Sequence, residues 1–128
     1  MKILDSTFLI DLLRGDKSTL KIIQKKENFL TTQINMYEVI RGLFMRNMSP
    51  KKLLDGMTLF EEIRVLPLDD SAVVKSAEIS AELIKKGKTL ADCDCLIAGI
   101  ALSKGVSTIV TRNTNDFKRI KGIKVQSY

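Results

Sequence analysis

The chain alternates between short apolar runs and longer stretches in which apolar residues recur every three or four positions. The short runs predict buried strands, and the longer stretches predict helices that bury one face. Strands and helices alternate from start to end, which predicts a mostly parallel sheet of four to five strands with helices on both faces. We therefore expect an α/β fold with three layers, α/β/α. The predicted strands are 2–4, 29–32, 64–66, 107–111 and 123–126.

Capping residues mark where the predicted helices begin. Ser6 or Thr7 would cap the first helix, which ends at Arg14-Gly15. The later helices begin at Asp16, Gln33, Ser49-Pro50, at Asp69 or Asp70, and near Asp92, the last of these ending at Lys104-Gly105. We find no repeat or linker, and a length of 128 residues is typical of one domain covering 1–128.

The stretch from Gln33 to Asn47 is apolar on most sides, which predicts a buried helix. Glu38 lies in the middle of this stretch, with Ile34, Arg41 and Gly42 as its helical neighbours. A lone acid in an apolar helix needs a partner. Arg41 is the structural candidate for that partner, and a functional site is the other explanation.

The overall composition is that of an ordinary globular protein, with 45% apolar and 28% charged residues. No apolar run approaches the roughly 20 residues that span a bilayer, and Asp5 and Asp11 interrupt the apolar N-terminus, unlike a signal peptide. We expect a cytoplasmic protein without a membrane partner. The net charge of +6 favours a polyanionic partner, although solubility alone is the simpler explanation.

Histidine is absent, which excludes Ser-His-Asp and Cys-His nucleophiles and every metal site that contains histidine. The only two cysteines, Cys93 and Cys95, are one residue apart, too close for an ordinary disulfide, and we interpret them as small packing residues. Catalysis by this chain would therefore depend on carboxylates, lysines, hydroxyls or a metal bound by oxygen.

Four acids are predicted to approach one edge of the sheet. Asp5 and Asp116 follow strands whose carboxyl ends share that edge if the strands are parallel, and ligands bind at this edge in open α/β sheets. Asp94 begins the helix that leads into the fourth strand and lies on one face with Ile97, Ala98 and Ala101. Crowded carboxylates stay ionised together when a divalent cation lies between them, and oxygen ligands favour Mg²⁺ or Mn²⁺.

Each acid also has a simpler structural explanation. Asp5 and Asp116 are acceptable turn residues, and Asp92 and Asp94 are acceptable helix caps. The joint placement of Asp5, Glu38, Asp94 and Asp116 favours a site more than any one of them does. Such a site activates water and stabilises the leaving oxygen of a phosphodiester.

At these residues the chain resembles the PIN-domain family, specifically the VapC-type toxin ribonucleases of toxin–antitoxin pairs. The matching pieces are ILDSTFLIDLLRGD, the glutamate of NMYEVIRGL, DCDCLIAGIAL and IVTRNTNDFKRIKGIKV, which cover essentially the whole chain. The resemblance implies a metal-dependent endoribonuclease that uses Mg²⁺ or Mn²⁺. It also implies an RNA substrate, a homodimer and an antitoxin protein that blocks the site.

The resemblance assigns the catalytic and metal-binding positions to Asp5, Glu38, Asp94 and Asp116. Asp94 is preferred to Asp92 because it directly precedes the C-L-I-A match. Residues that would support the site are Asp92, Asn113, Thr111, Ser6 and Thr7.

The basic residues nearest these acids are the predicted RNA contacts, unless they simply form a solvated surface. They are Arg14, Arg41, Arg46, Arg112, Lys118 and Arg119. Aromatic residues make up only 5% of the chain, so contacts to phosphates and to RNA shape are favoured over base stacking.

Two other functions remain as alternatives. A receiver-like signalling domain would need paired acids after the first strand and a lysine after a late strand, whereas Asp5 stands alone and Arg112 takes the lysine's place. A catalytically inactive PIN-fold module that only binds RNA is the second alternative. Four retained acids count against it, because they would repel RNA.

Overall fold

A computed structural model describes all residues from Met1 to Tyr128. The strands are Lys2–Leu4 (β1), Phe29–Thr32 (β2), Arg64–Leu66 (β3), Thr108–Val110 (β4) and Lys124–Gln126 (β5). The helices are Ser6–Leu13 (α1), Lys17–Ile23 (α2), Gln33–Met45 (α3), Pro50–Glu62 (α4), Asp70–Lys85 (α5), Asp92–Ser103 (α6) and Thr114–Phe117 (α7). No helix is long and apolar enough to cross a membrane.

The five strands form one sheet in the order β3-β2-β1-β4-β5, and every neighbouring pair is parallel. β1 lies in the centre, with Ile3 opposite Leu30 of β2 and opposite Ile109 of β4. The carboxyl ends of all five strands therefore lie along one edge, and residues that follow β1 and β4 are neighbours there. This confirms the predicted α/β fold and its parallel sheet.

Successive residues of a strand point to opposite faces of the sheet, and this alternation divides the core in two. Ile3 and Ile109 belong to a cluster with Ile97, Ile100 and other residues of α5 and α6. Their neighbours Leu4 and Val110 belong to a second cluster, which is completed by Phe8, Leu9, Ile22, Val39 and Phe60 from α1 to α4. The sheet is therefore covered by helices on both faces, as predicted.

The prediction that Ser6 or Thr7 caps α1 is wrong. The N-cap position is Asp5, and α1 begins at Ser6 itself. The two hydroxyls are used elsewhere, because Ser6 donates to Glu38 and Thr7 donates to Asp5. Asp69, rather than Asp70, caps α5 by accepting a hydrogen bond from the backbone N–H of Ala72.

The prediction that the helix from Gln33 is buried on most sides is also wrong. Only Asn35 and Val39 of α3 are buried. Tyr37, Phe44 and Met45 are 56%, 63% and 75% exposed. The apolar pattern identifies a helix with more than one apolar face, and the face that carries Tyr37, Phe44 and Met45 is left uncovered within this chain. α3 therefore presents an open apolar groove, lined by Met36, Tyr37, Ile40, Phe44 and Met45.

Candidate functional site

Asp5 lies at the centre of the edge formed by the carboxyl ends of the strands. It follows β1 directly and is only 4% exposed. Its backbone N–H donates to the carbonyl of Val110, the last residue of β4. Thr31 of β2 donates from its hydroxyl to the carbonyl of Leu4 at 2.8 Å. These bonds hold the ends of the three central strands together around Asp5.

Both oxygens of the Asp5 carboxylate accept hydrogen bonds from side chains. Thr111 donates to Oδ2 at 2.6 Å and Thr7 donates to the same oxygen at 3.3 Å, while Asn35 Nδ2 donates to Oδ1 at 3.0 Å. Burial raises the pKa of Asp5, and the hydrogen bonds, that from Thr111 foremost, oppose the rise. Asp5 is therefore an oriented, buried carboxylate without a cationic partner.

Glu38 is connected to Asp5 through short side chains. Ser6 donates from Oγ to Oε1 of Glu38 at 2.8 Å, and Asn35 Nδ2 donates to Ser6 Oγ at 3.0 Å. Burial raises the pKa of the half-buried Glu38; the Ser6 hydrogen bond opposes this, and the negative charge of Asp5 adds to it. Arg41 forms no ion pair with Glu38 but stacks on Tyr37, with its guanidinium carbon 5.0 Å from the ring centroid. Glu38 is therefore hydrogen-bonded to Ser6 and not ion-paired with the predicted Arg41.

Asp94 and Asp116 approach the same edge from the opposite side. Asp94 is the third residue of α6, and Asp116 is the third residue of α7, which follows β4. Burial raises the pKa of Asp94 to about 6, and the charges of Asp5, Asp116 and Glu38 contribute in that order. All four predicted acids are therefore close enough to interact electrostatically.

Helix capping does not explain Asp94, as a comparison with other aspartates shows. Asp16 and Asp69 cap α2 and α5, because their carboxylates accept backbone N–H groups of the first turn. No side chain caps α6, whose N-cap is Ala91, and none caps α7. Asp92 is exposed to solvent and Asp94 is half-buried, which favours Asp94 as the acid that faces the site.

The predicted supporting residues differ in what they contact. Thr111, Ser6 and Thr7 bond to the acids directly. Asn113 donates only its backbone N–H, to Thr111 Oγ1 at 2.9 Å, and thereby orients the threonine rather than an acid. Asn35 was not predicted. The available signal was its position, three residues after the capping Thr32 and three before Glu38 on one helix face.

The predicted RNA-binding residues are exposed at the protein surface. Arg14, Arg41, Lys118 and Arg119 are exposed, and Arg119 lies 3.8 Å from Asp116. The guanidinium of Arg112 is held by the buried Asp11 at 3.0 Å, and Asp11 also accepts the phenol hydrogen of Tyr128 at 2.7 Å. Sequence reasoning missed this structural role of Asp11 and Tyr128.

The two cysteines are free thiols on α6. Cys95 is 2% exposed and belongs to the core beside α5, whereas Cys93 is half-buried. Burial raises the pKa of both thiols, which keeps them protonated and unreactive. These features agree with packing roles.

The donor set suits a hard cation such as Mg²⁺, because it consists of carboxylate oxygens, and because Asp5, Glu38 and Asp94 have raised pKa values and no cationic partner. The carboxylates do not form a ready-made cage, since no three acidic or cysteine side chains are arranged to hold an ion. Mg²⁺ commonly keeps several of its waters and takes only one or two carboxylates directly. The arrangement therefore fits a hydrated ion better than a fully dehydrated one.

Comparison with known proteins assigns the chain to one family. A profile of the PIN domain matches residues 2–123. The chain belongs to the PIN-domain family. The individual members that it resembles include VapC proteins.

The chain is 33% identical over 98 residues to the tRNA(fMet)-specific endonuclease VapC of Salmonella typhimurium, covering 76% of this chain and 73% of that protein. It is 30% identical over 127 residues to Ribonuclease VapC1 of Rickettsia felis, covering 96% and 92%. Among solved structures, DNA-bound VapBC from Salmonella typhimurium matches with a TM-score of 0.85 at 26% identity, covering 98% of this chain and 96% of the other.

The family and the topology exclude the receiver-like alternative. The order of a flavodoxin-like sheet is 2-1-3-4-5, so its first strand lies between the second and the third. Here β1 lies between β2 and β4, and β3 is at the sheet edge. Asp5 at the end of β1 therefore belongs to a different arrangement from that of a phosphoacceptor domain.

Proposed function

We propose that this protein is a divalent-metal-dependent endoribonuclease and the toxin of a type II toxin–antitoxin pair. The observation that supports the proposal is the cluster of Asp5, Glu38, Asp94 and Asp116 at one sheet edge of a VapC-type PIN domain. Asp5, Glu38 and Asp94 form no ion pair with a lysine or arginine. Acids in this arrangement cost stability unless they serve a ligand of opposite charge. Mg²⁺ or Mn²⁺ is the ligand that this donor set favours.

Each acid has a role that follows from its surroundings. Asp5 is fixed by three side-chain hydrogen bonds and would be the rigid ligand of the ion. Glu38 uses Oε1 for Ser6, so Oε2 is available to water or substrate. Asp94 in α6 and Asp116 in α7 would supply the remaining negative charge of the site. A bound divalent ion supplies positive charge that keeps these acids ionised and stabilises the negative charge that develops on a phosphate.

We propose RNA as the substrate, with exposed basic residues contacting its phosphates. Arg14, Arg41, Lys118 and Arg119 are exposed on a chain of net charge +6, and Arg119 lies 3.8 Å from Asp116. Exposed basic residues attract the phosphate backbone of RNA, while a bound ion neutralises the acids. Initiator tRNA is the first RNA to test, because relatives of this chain carry the name tRNA(fMet)-specific endonuclease.

The proposed partners are a cognate antitoxin and a second copy of this chain. Solved relatives of the fold include VapBC toxin–antitoxin complexes. The open apolar groove of α3 is a surface of the kind that a partner covers. RNA as substrate and two free thiols fit a cytoplasmic site of action.

An RNA-binding module without catalysis is the weaker explanation. A module of that kind has no use for a buried acid held by Thr111, Thr7 and Asn35. Such an acid repels RNA when no cation is bound.

The experiment is RNA cleavage by the wild type and by Asp94→Asn, with Mg²⁺ and with EDTA, on initiator tRNA and on total RNA. We expect internal cleavage only by the wild type and only with the metal. Equal cleavage in EDTA would contradict the metal dependence. Binding of RNA without cleavage in Mg²⁺ or Mn²⁺ would support the inactive module instead.

A further inference from the structure

We propose that Asn35 is a positioning residue that orients Asp5 and, through Ser6, Glu38, so that one buried amide sets the geometry of two acids. The inference rests on the proposed function, because it treats these acids as ligands of a divalent ion. It concerns a residue whose side chain hydrogen-bonds to Thr32, Asp5 and Ser6.

The orientation of the Asn35 amide follows from its neighbours. Thr32 Oγ1 accepts the backbone N–H of Asn35 at 3.2 Å and donates its own hydrogen to Asn35 Oδ1 at 2.7 Å. The amide oxygen therefore faces Thr32, and the two hydrogens of Nδ2 point toward the acids. Asn35 is fully buried, so no water competes for these bonds.

Both amide hydrogens are used at the site. One goes to Asp5 Oδ1 and the other to Ser6 Oγ, each at 3.0 Å. Since Ser6 Oγ already accepts a hydrogen from Asn35, its own hydrogen is free for Glu38 Oε1, 2.8 Å away. The donor and the acceptor of each hydrogen bond between Thr32 and the two carboxylates are thus determined. Each carboxylate accepts a hydrogen bond from this network.

The fold explains why this amide reaches both acids. Asn35 and Glu38 are three residues apart on α3 and lie on the same side of the helix. β2 runs parallel to β1, so the start of α3 lies beside the end of β1, where Asp5 and Ser6 are found. A hydrogen-bonding side chain at the first turn of α3 can therefore bridge the two elements.

The test measures Mn²⁺ affinity by electron paramagnetic resonance, together with kcat and KM for RNA and the thermal unfolding temperature. The variants are Asn35→Ala, which removes both donors, Asn35→Ser, which replaces the amide by a single hydroxyl donor, and Ser6→Ala, which removes only the hydrogen bond to Glu38. Val39→Ala is the matched control, because Val39 is equally buried on the same helix but lies outside this network.

We expect Asn35→Ala to bind Mn²⁺ about 10- to 100-fold more weakly and to lower kcat with little change in KM. Asn35→Ser should lose less than Asn35→Ala, and Val39→Ala should lose stability but bind Mn²⁺ like the wild type. Adding Ser6→Ala to Asn35→Ala should weaken Mn²⁺ binding less than Ser6→Ala does alone. The reason is that Asn35→Ala has already broken the path of hydrogen bonds from Asn35 through Ser6 to Glu38.

Wild-type Mn²⁺ affinity in a folded Asn35→Ala protein would overturn the inference, and so would the same result in Asn35→Ser if Asn35→Ala does not fold. If the effects of Asn35→Ala and Ser6→Ala on the free energy of Mn²⁺ binding are additive, Asn35 does not act on Glu38 through Ser6. A wild type that binds Mn²⁺ but leaves RNA intact contradicts the proposed function alone, since the metal affinities still test Asn35. A wild type that binds no Mn²⁺ contradicts both.

Discussion

The phenol of Tyr128 donates its hydrogen to Oδ2 of Asp11 at 2.7 Å, across 117 positions of the chain. The ring of Tyr128 also packs edge-on against the buried Phe8, with ring centroids 5.0 Å apart. Asp11 in turn holds Arg112, whose backbone N–H donates to Thr7 beside Asp5. This contact therefore fastens the segment after β5 to α1 and to the segment that carries Thr111.

We expect Tyr128→Phe to lower the free energy of unfolding by roughly 1.5 to 3 kcal/mol, because it removes a hydrogen bond to a charged acceptor and keeps the ring. Chemical denaturation measures the change. Tyr37→Phe is the control, since Tyr37 is 56% exposed and should change stability by less than about 0.5 kcal/mol. Equal stability of Tyr128→Phe and the wild type would show that the bond contributes nothing.

Gly99 is predicted to tolerate no side chain. A Cβ at this position of α6 would lie 2.7 Å from the backbone nitrogen of Ser76 in α5. Gly99→Ala should therefore destabilise the protein by about 1–3 kcal/mol, because the two helices must move apart. In contrast, a Cβ at Gly42 meets no atom within 4 Å, and Gly42→Ala should stabilise α3 by about 0.5–1 kcal/mol. Unfolding curves measure the change in the free energy of unfolding for both variants. Changes of the same sign would contradict this packing.

Asp94 should make the stability of the metal-free protein depend on pH. Its pKa is about 6 in the folded state, above the ordinary value of 3.8, so the folded state holds the proton more tightly than the unfolded state does. The contribution of Asp94 to stability is therefore fully present below about pH 3.8 and is lost as the pH rises through about 6.

Replacement of Asp94 by asparagine removes this titration. In EDTA, Asp94→Asn should melt at a higher temperature than the wild type at pH 7.5, and the difference should shrink at pH 5. Melting curves at the two pH values measure it. A difference that stays constant with pH would show that Asp94 does not titrate in this range.

Addition of Mg²⁺ or Mn²⁺ should stabilise the wild type, because an ion that binds only the folded state shifts the unfolding equilibrium. The gain is about 2.7 kcal/mol when the free ion is at 100 times its Kd. Asp5→Asn should abolish most of this gain, since Asp5 is the most buried of the acids. An equal gain in Asp5→Asn would place the ion elsewhere on the protein.

The sequence was sufficient to predict where Asp5 and Asp116 lie, because residues that follow adjacent parallel strands must meet at one edge. It was not sufficient for Asn35, whose amide has no distinctive chemistry until the fold places it beside Asp5 and Ser6. It also failed on the surroundings of α3, because an apolar pattern does not say what covers each face. Phe44 and Met45 are exposed because nothing in this chain reaches them.

The most direct test of the account compares RNA cleavage by Asp5→Asn and Asp92→Asn in saturating Mg²⁺. The two changes remove the same charge, but Asp5 is buried among hydrogen-bond donors at the site and Asp92 is exposed at the start of α6. We predict that Asp5→Asn loses at least about 100-fold in kcat, the range expected when a group that supports the metal or the transition state is removed. Asp92→Asn should stay within about twofold of the wild type. Cleavage by a folded Asp5→Asn protein at the wild-type rate would contradict the account.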